Sequence, residues 1–248
     1  MGNSGRVRIL GIEVDKVDMA EALERLTGFL GGEVLRMVFT PNSEMIAAAL
    51  NDMELKHALD NGDLVVPDGI GVVYASRIYG EPLPERVAGY DLMMEFLGVI
   101  EREKKGIFLL GGNPGIAQRA GGKILQRFPG IMVKGCQHGY FGDEDVPDIL
   151  KKINESGADV LFVALGSPKQ EKWIYSNRDK LSVKIAMGVG GSFDVIAGEV
   201  KRAPAVFRKA GLEWFYRLIT QPWRAKRMAA LPKFALKVIM DRKGGRRA

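Results

Sequence analysis

Five polar, glycine- or proline-marked stretches in this chain each follow a short apolar run. They are Thr40-Pro41-Asn42, Pro67-Asp68-Gly69, Gly111-Gly112-Asn113-Pro114-Gly115, Gly166-Ser167-Pro168-Lys169-Gln170-Glu171 and Gly188-Val189-Gly190-Gly191-Ser192-Phe193-Asp194. Glycine lets a backbone come close to a phosphate, and a helix starting just behind it offers free N–H groups and a positive dipole end. One such loop means little, because strand-to-helix turns use glycine anyway. Five together suit a ligand that carries a diphosphate. None has the GxGxxG or GxxxxGK[ST] spacing, which disfavours dinucleotide and P-loop sites.

Pro67-Asp68-Gly69 is first of all an ordinary turn sequence. Its functional reading is a carboxylate at a strand end, placed to act as general base for an attacking hydroxyl. Asp143-Glu144-Asp145 has the Asp-x-Asp form of metal-dependent sugar transferases, but it sits where a helix begins. Carboxylates there favour the helix dipole, so the triplet is read as a solvated helix start with no metal. His57 and His138 have no second ligand at metal spacing. His57 reads as structural, and His138, in Gln137-His138-Gly139-Tyr140-Phe141 at a strand end, is expected to line the same cleft.

The elements that must position these residues alternate between strand and helix. Strands are expected over Arg6–Ile12, Val34–Phe39, Leu64–Val66, Ile107–Leu110, Ile131–Lys134, Val160–Leu165 and Val183–Met187. Helices are expected from Asp18, with Glu21 completing a capping box, to Gly31-Gly32. Others should cover Met45–Leu50, Ile70–Tyr79, Tyr90–Glu103, Gly115–Phe128, Val146–Ser156 and Lys169–Lys180. Continuous apolar strands alternating with helices predict an α/β fold, a Rossmann-like parallel sheet with helices on both faces. Ligands of such sheets bind beyond the carboxyl ends of the strands, where the five loops fall.

Charge divides the chain in two. Residues 201–248 hold 14 of the 36 Lys and Arg but only two of the 30 acids, Glu213 and Asp241, for a net +12 against −6 in residues 1–200. The same end carries Trp214 and Trp223, two of the three tryptophans, with Phe207, Phe215, Tyr216 and Phe234. We therefore divide the chain into a body, 1–200, and a basic, aromatic appendage, 201–248, with a boundary near Val200–Pro204. A localised basic patch suits an anionic lipid surface as well as nucleic acid. The appendage is expected to form short amphipathic helices broken at Pro222 and Pro232, lying in the membrane interface, with a disordered end from Arg242. No stretch approaches the roughly 18 uncharged apolar residues of a membrane span. Met1 to Leu10 lacks the apolar run of a signal peptide, and the lone Cys136 fits a reducing compartment. The expected location is cytoplasmic, peripheral on the inner face of the cell membrane.

Assembled in order, the motifs resemble a known family. Thr40-Pro41-Asn42, Pro67-Asp68-Gly69, Arg86-Val87-Ala88-Gly89-Tyr90-Asp91, His138-Gly139-Tyr140-Phe141, Gly166 to Glu171 and Gly190 to Asp194 follow the pattern of the WecG/TagA/CpsF glycosyltransferases. Gly211-Leu212-Glu213-Trp214 through Pro222-Trp223-Arg224 to Arg227 is similar to that family's C-terminal appendage, so the resemblance runs from about residue 7 to 240. It implies an inverting, metal-independent transfer of N-acetylmannosamine from UDP-ManNAc to the 4-hydroxyl of GlcNAc-diphosphoundecaprenol, in wall teichoic acid synthesis. It also implies roles. Asp68 would be the general base, with Thr40 and Gln170 beside it. Gly139 and Asp194, with Gly111, Gly112 and Gly191, would hold UDP. Asn42, Arg86, Arg217, Arg224 and Arg227 would meet the acceptor and close the site. The partners implied are the UDP sugar, the lipid-linked acceptor and a membrane surface. No cofactor is expected and no nucleic acid, and a homo-oligomer stays open. The alternatives are a related UDP sugar for another surface polysaccharide, an NAD-linked enzyme disfavoured by the missing fingerprint, and a basic nucleic-acid-binding α/β protein. The last gives no reason for polar residues gathered at five strand ends.

Overall fold

The computed structural model describes residues 5–209, 213–220 and 230–245. Its centre is a six-stranded, all-parallel sheet in the order β4-β3-β8-β7-β5-β6. The strands are β3 (Arg36–Phe39), β4 (Leu64–Val65), β5 (Gly106–Gly111), β6 (Met132–Gln137), β7 (Val160–Ala164) and β8 (Ile185–Gly188). Side chains of a strand alternate between faces, and β7 shows the consequence. Val160, Phe162 and Ala164 enter one core, while Leu161 and Val163 enter the other. Both faces are apolar because both are covered, which is why the strands read as continuous apolar runs.

One face is covered by α1 (Met19–Leu30), α5 (Gly89–Arg102), α6 (Ile116–Arg127) and α9 (Ser192–Ile196). The other carries α2 (Ser43–Ala49), α3 (Met53–Asp60), α4 (Ile70–Tyr79), α7 (Val146–Glu155) and α8 (Lys169–Asn177). The expected capping box is present: Glu21 N–H donates to Asp18 Oδ1 at 2.8 Å, and Asp18 N–H donates to Glu21 Oε2 at 3.0 Å. After β4 the chain crosses to build β5 and β6. It then fills the middle of the sheet with β7 and β8, so loops from early and late sequence meet at one carboxyl edge.

Several local expectations are corrected. Arg6–Ile12 is not one strand but a hairpin, β1 (Arg6–Ile9) and β2 (Ile12–Asp15), turned through Leu10 at φ 49° and Gly11 at φ 83°. Two positive-φ residues make the tight turn whose twist matches a hairpin, and Val7, Ile9, Ile12 and Val14 all face the core. Helix α3 was not expected, since only Leu55, Ala58 and Leu59 of its eight residues are buried. Its start is set by Asp52, whose Oδ1 accepts from Leu55 N–H at 3.1 Å. The helix expected to Lys180 stops at Asn177 and tightens into a 3₁₀ turn, Arg178–Lys180.

The appendage contributes α10 (Ala205–Lys209), α11 (Glu213–Thr220) and α12 (Ala230–Gly245). Pro232 does not break α12; it lies in the first turn, where the missing N–H has no partner to lose. The end expected to be disordered from Arg242 is helical through Gly245. Helix α12 packs across α2 and α4, with Phe234 and Val238 buried in the same core as Met45 and Val72. Tyr79 Oη donates to Asp241 Oδ2 at 2.7 Å, tying α4 to α12. Among the described residues, no helix is long and apolar enough to cross a membrane.

Candidate active site

A cleft of about 560 Å³ opens at the carboxyl ends of β4, β3, β8 and β7, four of the six strands. Thr40, Asn42, Asp68, Arg86, Gln170 and Gly191, six of the expected site residues, line it together. They are more than 20 residues apart in several cases and meet only because β7 and β8 are inserted beside β3.

Asp68 follows β4, and its N–H donates to Pro41 O at 3.1 Å, so the turn after one strand is tied to the turn after its neighbour. Its carboxylate accepts from Arg86 Nη2 at 3.3 Å. The same Nη2 donates to Glu213 Oε2 at 2.9 Å, so one guanidinium joins the body's acid to the first residue of α11. Burial works against the Arg86 charge, but Asp68 and Glu213 outweigh it and hold its pKa above the ordinary arginine value. Arg86 therefore stays charged beside Asp68.

Asn42 doubles as a helix cap, its Oδ1 accepting from Met45 N–H at 2.9 Å. Thr40 packs on the start of α5, where a Cβ on Gly89 would lie 2.9 Å from Thr40 Oγ1. Gly71, at the head of α4, faces Ser43 with no room for a side chain. Two helix starts thus converge on the cleft. Helix α4 follows its cap residue Gly69, and α8 follows Pro168 on the far wall. Neither cap makes a side-chain hydrogen bond, and Gly69, Ile70 and Gly71 at one start and Ser167 and Gln170 at the other line the cleft. Uncapped helix N-termini are ready anion sites. Gln170 is 3% exposed; its Oε1 accepts from Gly190 N–H at 3.0 Å and its Nε2 donates to Glu171 Oε1 at 2.6 Å.

The residues expected to hold UDP fall differently. Gly191 lines the cleft, but Gly111, Gly112, Gly139 and Asp194 do not. Gly111, Gly112 and Gly139 form a ledge beyond β7, whereas Asp194 follows β8 beside the cleft, its Oδ2 3.7 Å from where a Cβ on Gly191 would lie. Gly139 N–H donates to Gly112 O at 2.8 Å, and a Cβ on Gly139 would lie 2.9 Å from Leu165 and 3.2 Å from Gly111 Cα. Asp194 sits on α9, which packs against α6 on the same side. Burial, opposed by its own backbone N–H and helped by Glu199, raises the Asp194 pKa. His138, expected in the cleft, is not among its lining residues either. His57 is exposed on α3. Asp143-Glu144-Asp145 forms a 3₁₀ turn in which Asp145 Oδ2 accepts from Gly142 N–H at 2.9 Å. Arg224 and Arg227, with Pro222, lie outside the described residues, as does the side chain of Arg217 on α11.

Three cleft residues were missed from the sequence. Arg202 pairs with Asp91 through two hydrogen bonds of 2.7 and 2.6 Å and stacks 4.3 Å from the Tyr90 ring centroid. Its position beside the expected boundary hid it, although Tyr90-Asp91 was in view. Glu213 could have been found as one of two acids in a +12 appendage. Tyr74 gave no signal, as it reads like any outward residue of an apolar helix.

The parallel sheet, with a cleft at its carboxyl edge where Asp68, Glu213, Arg86 and Arg202 meet, is the architecture of an α/β enzyme. A family model described as Glycosyl transferase WecG/TagA/CpsF family matches residues 7–248, and the chain belongs to that family. It is 40% identical over 215 residues to the N-acetylglucosaminyldiphosphoundecaprenol N-acetyl-beta-D-mannosaminyltransferase of Bacillus subtilis (strain 168), covering 87% of this chain and 83% of that one. A protein of the same name from Bacillus spizizenii is 39% identical over 82% of this chain and 78% of its own. One from Staphylococcus aureus (strain MRSA252) is 34% identical over 95% and 93%. The chain is thus a glycosyltransferase of this family.

Proposed function

We propose that this enzyme transfers N-acetylmannosamine from UDP-ManNAc to a lipid-linked GlcNAc diphosphate, with inversion and without a metal ion. The observation that carries this reading is the cleft itself, where Asp68, Arg86, Gln170 and two uncapped helix starts face one space. The reaction named for the Bacillus and Staphylococcus relatives supplies the substrates.

In one displacement, Asp68 takes the proton of the GlcNAc 4-hydroxyl while that oxygen forms a bond to the anomeric carbon. The anomeric C–O bond to the diphosphate breaks on the opposite side, and UDP leaves with the electron pair. Charge grows on the diphosphate as it departs, and helix N-termini with fixed guanidinium groups stabilise it in place of a cation. Residues 1–200 act as the catalytic domain, and UDP is held by Gly191 and Asp194 after β8 together with Gly111, Gly112 and Gly139 on the ledge. Residues 201–248 close the site, with Arg217, Arg224 and Arg227 on the phosphates. Ile70, Tyr74, Leu231 and Phe234 give the cleft an apolar wall, and Leu236, Ile239 and Met240 are exposed on the same helix as Leu231 and Phe234. The acceptor's lipid follows this wall while the appendage rests on the inner face of the cell membrane.

The test is incubation with UDP-ManNAc and a short-chain lipid-diphosphate GlcNAc, with and without EDTA. Released UDP and a β-linked disaccharide lipid at equal rates in both reactions are expected. Product only with another UDP sugar would reassign the donor, and loss of product in EDTA would overturn metal independence.

A further inference from the structure

Glu171 has no role in the reaction described above, yet it lies completely buried, 0% exposed, one residue from Gln170. Its Oε1 accepts from Gln170 Nε2, while Gln170 Oε1 accepts from Gly190 N–H. The two ends of a glutamine amide are nearly the same shape and differ only in hydrogen bonding. Here a carboxylate can accept only from the nitrogen end, and a backbone N–H can donate only to the oxygen end. The amide is therefore held in one orientation, with Gly190 fastened to it.

The pair fits beneath β8 because residue 188 is glycine. A Cβ there would lie 2.8 Å from Gln170 Nε2 and 3.4 Å from Glu171 Oε1. A buried carboxyl destabilises a fold relative to an apolar residue of similar size unless its hydrogen bonds fully replace water. Burial pushes this carboxyl up to about 7, against hydrogen bonds from Gln170, its own backbone and Ser167. Costly buried groups of this kind gather at functional sites.

We infer that Glu171 is a positioning residue: through Gln170 it sets the 188–191 loop that forms the cleft wall. Removing its acceptor leaves Gln170 Nε2 buried and unpaired, so the amide turns away and releases Gly190 N–H. Val189, Gly190 and Gly191, which line the cleft, then lose their fixed placement. The inference rests on the transferase reading only for its kinetic arm.

The test uses the full chain as Glu171→Leu and Glu171→Gln, with amide hydrogen exchange at Gly190, melting temperature and transfer kinetics. In Glu171→Leu, exchange at Gly190 should quicken about tenfold or more and kcat should fall about tenfold or more, with melting at pH 8 no lower than wild type. Glu171→Gln keeps an oxygen able to accept from Gln170, and both readouts should return to within about threefold of wild type. Unchanged Gly190 exchange in the leucine variant overturns the inference. So does a lowered melting temperature that tracks the loss of turnover, which would make Glu171 a residue of the fold alone. A glutamine variant as impaired as the leucine variant also overturns it. If the wild-type enzyme makes no disaccharide, the transferase reading fails, and Gly190 exchange decides the role of Glu171 by itself.

Discussion

The two walls of the cleft are built on opposite terms. The sheet wall is made of strand ends and glycine loops locked by backbone hydrogen bonds, such as Asp68 N–H to Pro41 O and Val189 N–H to Val163 O. Its side chains are spent on polar geometry. The appendage wall is a set of helices that buries Phe234 and Val238 and leaves Trp214, Phe215, Ile219, Leu236, Ile239 and Met240 exposed. Apolar surface gathered in one region marks a site of interaction rather than an average surface. Arg86 joins the walls, because it touches Asp68 on one and Glu213 on the other. In the proposed reaction the contrast separates two tasks: the sheet wall would hold reacting atoms in place, and the appendage wall would bring a greasy acceptor to them.

The largest effect should come from the sheet wall. Asp68→Asn keeps the shape of the side chain and removes its basicity, so kcat should fall by about 10²–10⁴ while UDP affinity, measured by calorimetry, stays within about threefold. Near-normal turnover would return Pro67-Asp68-Gly69 to a simple turn. A second effect on the same wall concerns stability. The Glu171 carboxyl is raised from 4.5 to about 7 in the folded enzyme. The folded state then binds more protons than the unfolded one between those values. Its contribution to stability is complete below pH 4.5 and is lost as pH rises through 7. Glu171→Gln does not ionise, so relative to wild type it should gain about 3 kcal/mol between pH 4 and pH 8. Urea melts of both proteins at the two pH values measure the difference, and parallel behaviour would show that Glu171 titrates normally.

Much of the sheet wall was legible in the sequence, and less of the appendage wall. Continuous apolar strands announced a buried parallel sheet, and polar residues at their ends announced its edge. Sequence order could not say which strand ends would be neighbours. Gly111, Gly112 and Gly139 therefore belonged with Asp68 in the sequence, whereas the strand order places them beyond β7. Arg6–Ile12 read as one strand because the turn at Leu10-Gly11 has no Asn or second glycine to mark it. In the appendage, Pro232 suggested a break because proline disrupts helix interiors, but at the first turn it costs nothing. The inward face of α12 was hidden by its charge: Lys233 and Lys237 flank Phe234 and Val238, and only packing on α2 and α4 reveals which side is buried.

Smaller effects should come from the outer face of the appendage wall. Leu236 and Met240 are 59% and 63% exposed and lie one turn apart on α12. Replacing both, as Leu236→Glu with Met240→Glu, removes apolar surface and adds charge repelled by anionic lipid. Co-sedimentation with phosphatidylglycerol vesicles should weaken about tenfold or more, with the melting temperature within a few degrees of wild type. Undiminished vesicle binding would place the membrane contact elsewhere.

The contrast between the walls holds only if they make a single site, and Glu213 is where that is tested most directly. It is 8% exposed and bonded to Arg86, so it belongs to the cleft although it begins an appendage helix. Glu213→Gln removes one of the two charges that compensate the half-buried Arg86 and should loosen the joint between the walls. Transfer rate and vesicle co-sedimentation should be measured on the same preparation of this variant. The account predicts a fall in kcat of about tenfold or more, with vesicle binding within about twofold of wild type. Full turnover, or turnover that falls only in step with vesicle binding, would mean that the appendage serves as an anchor and takes no part in building the site.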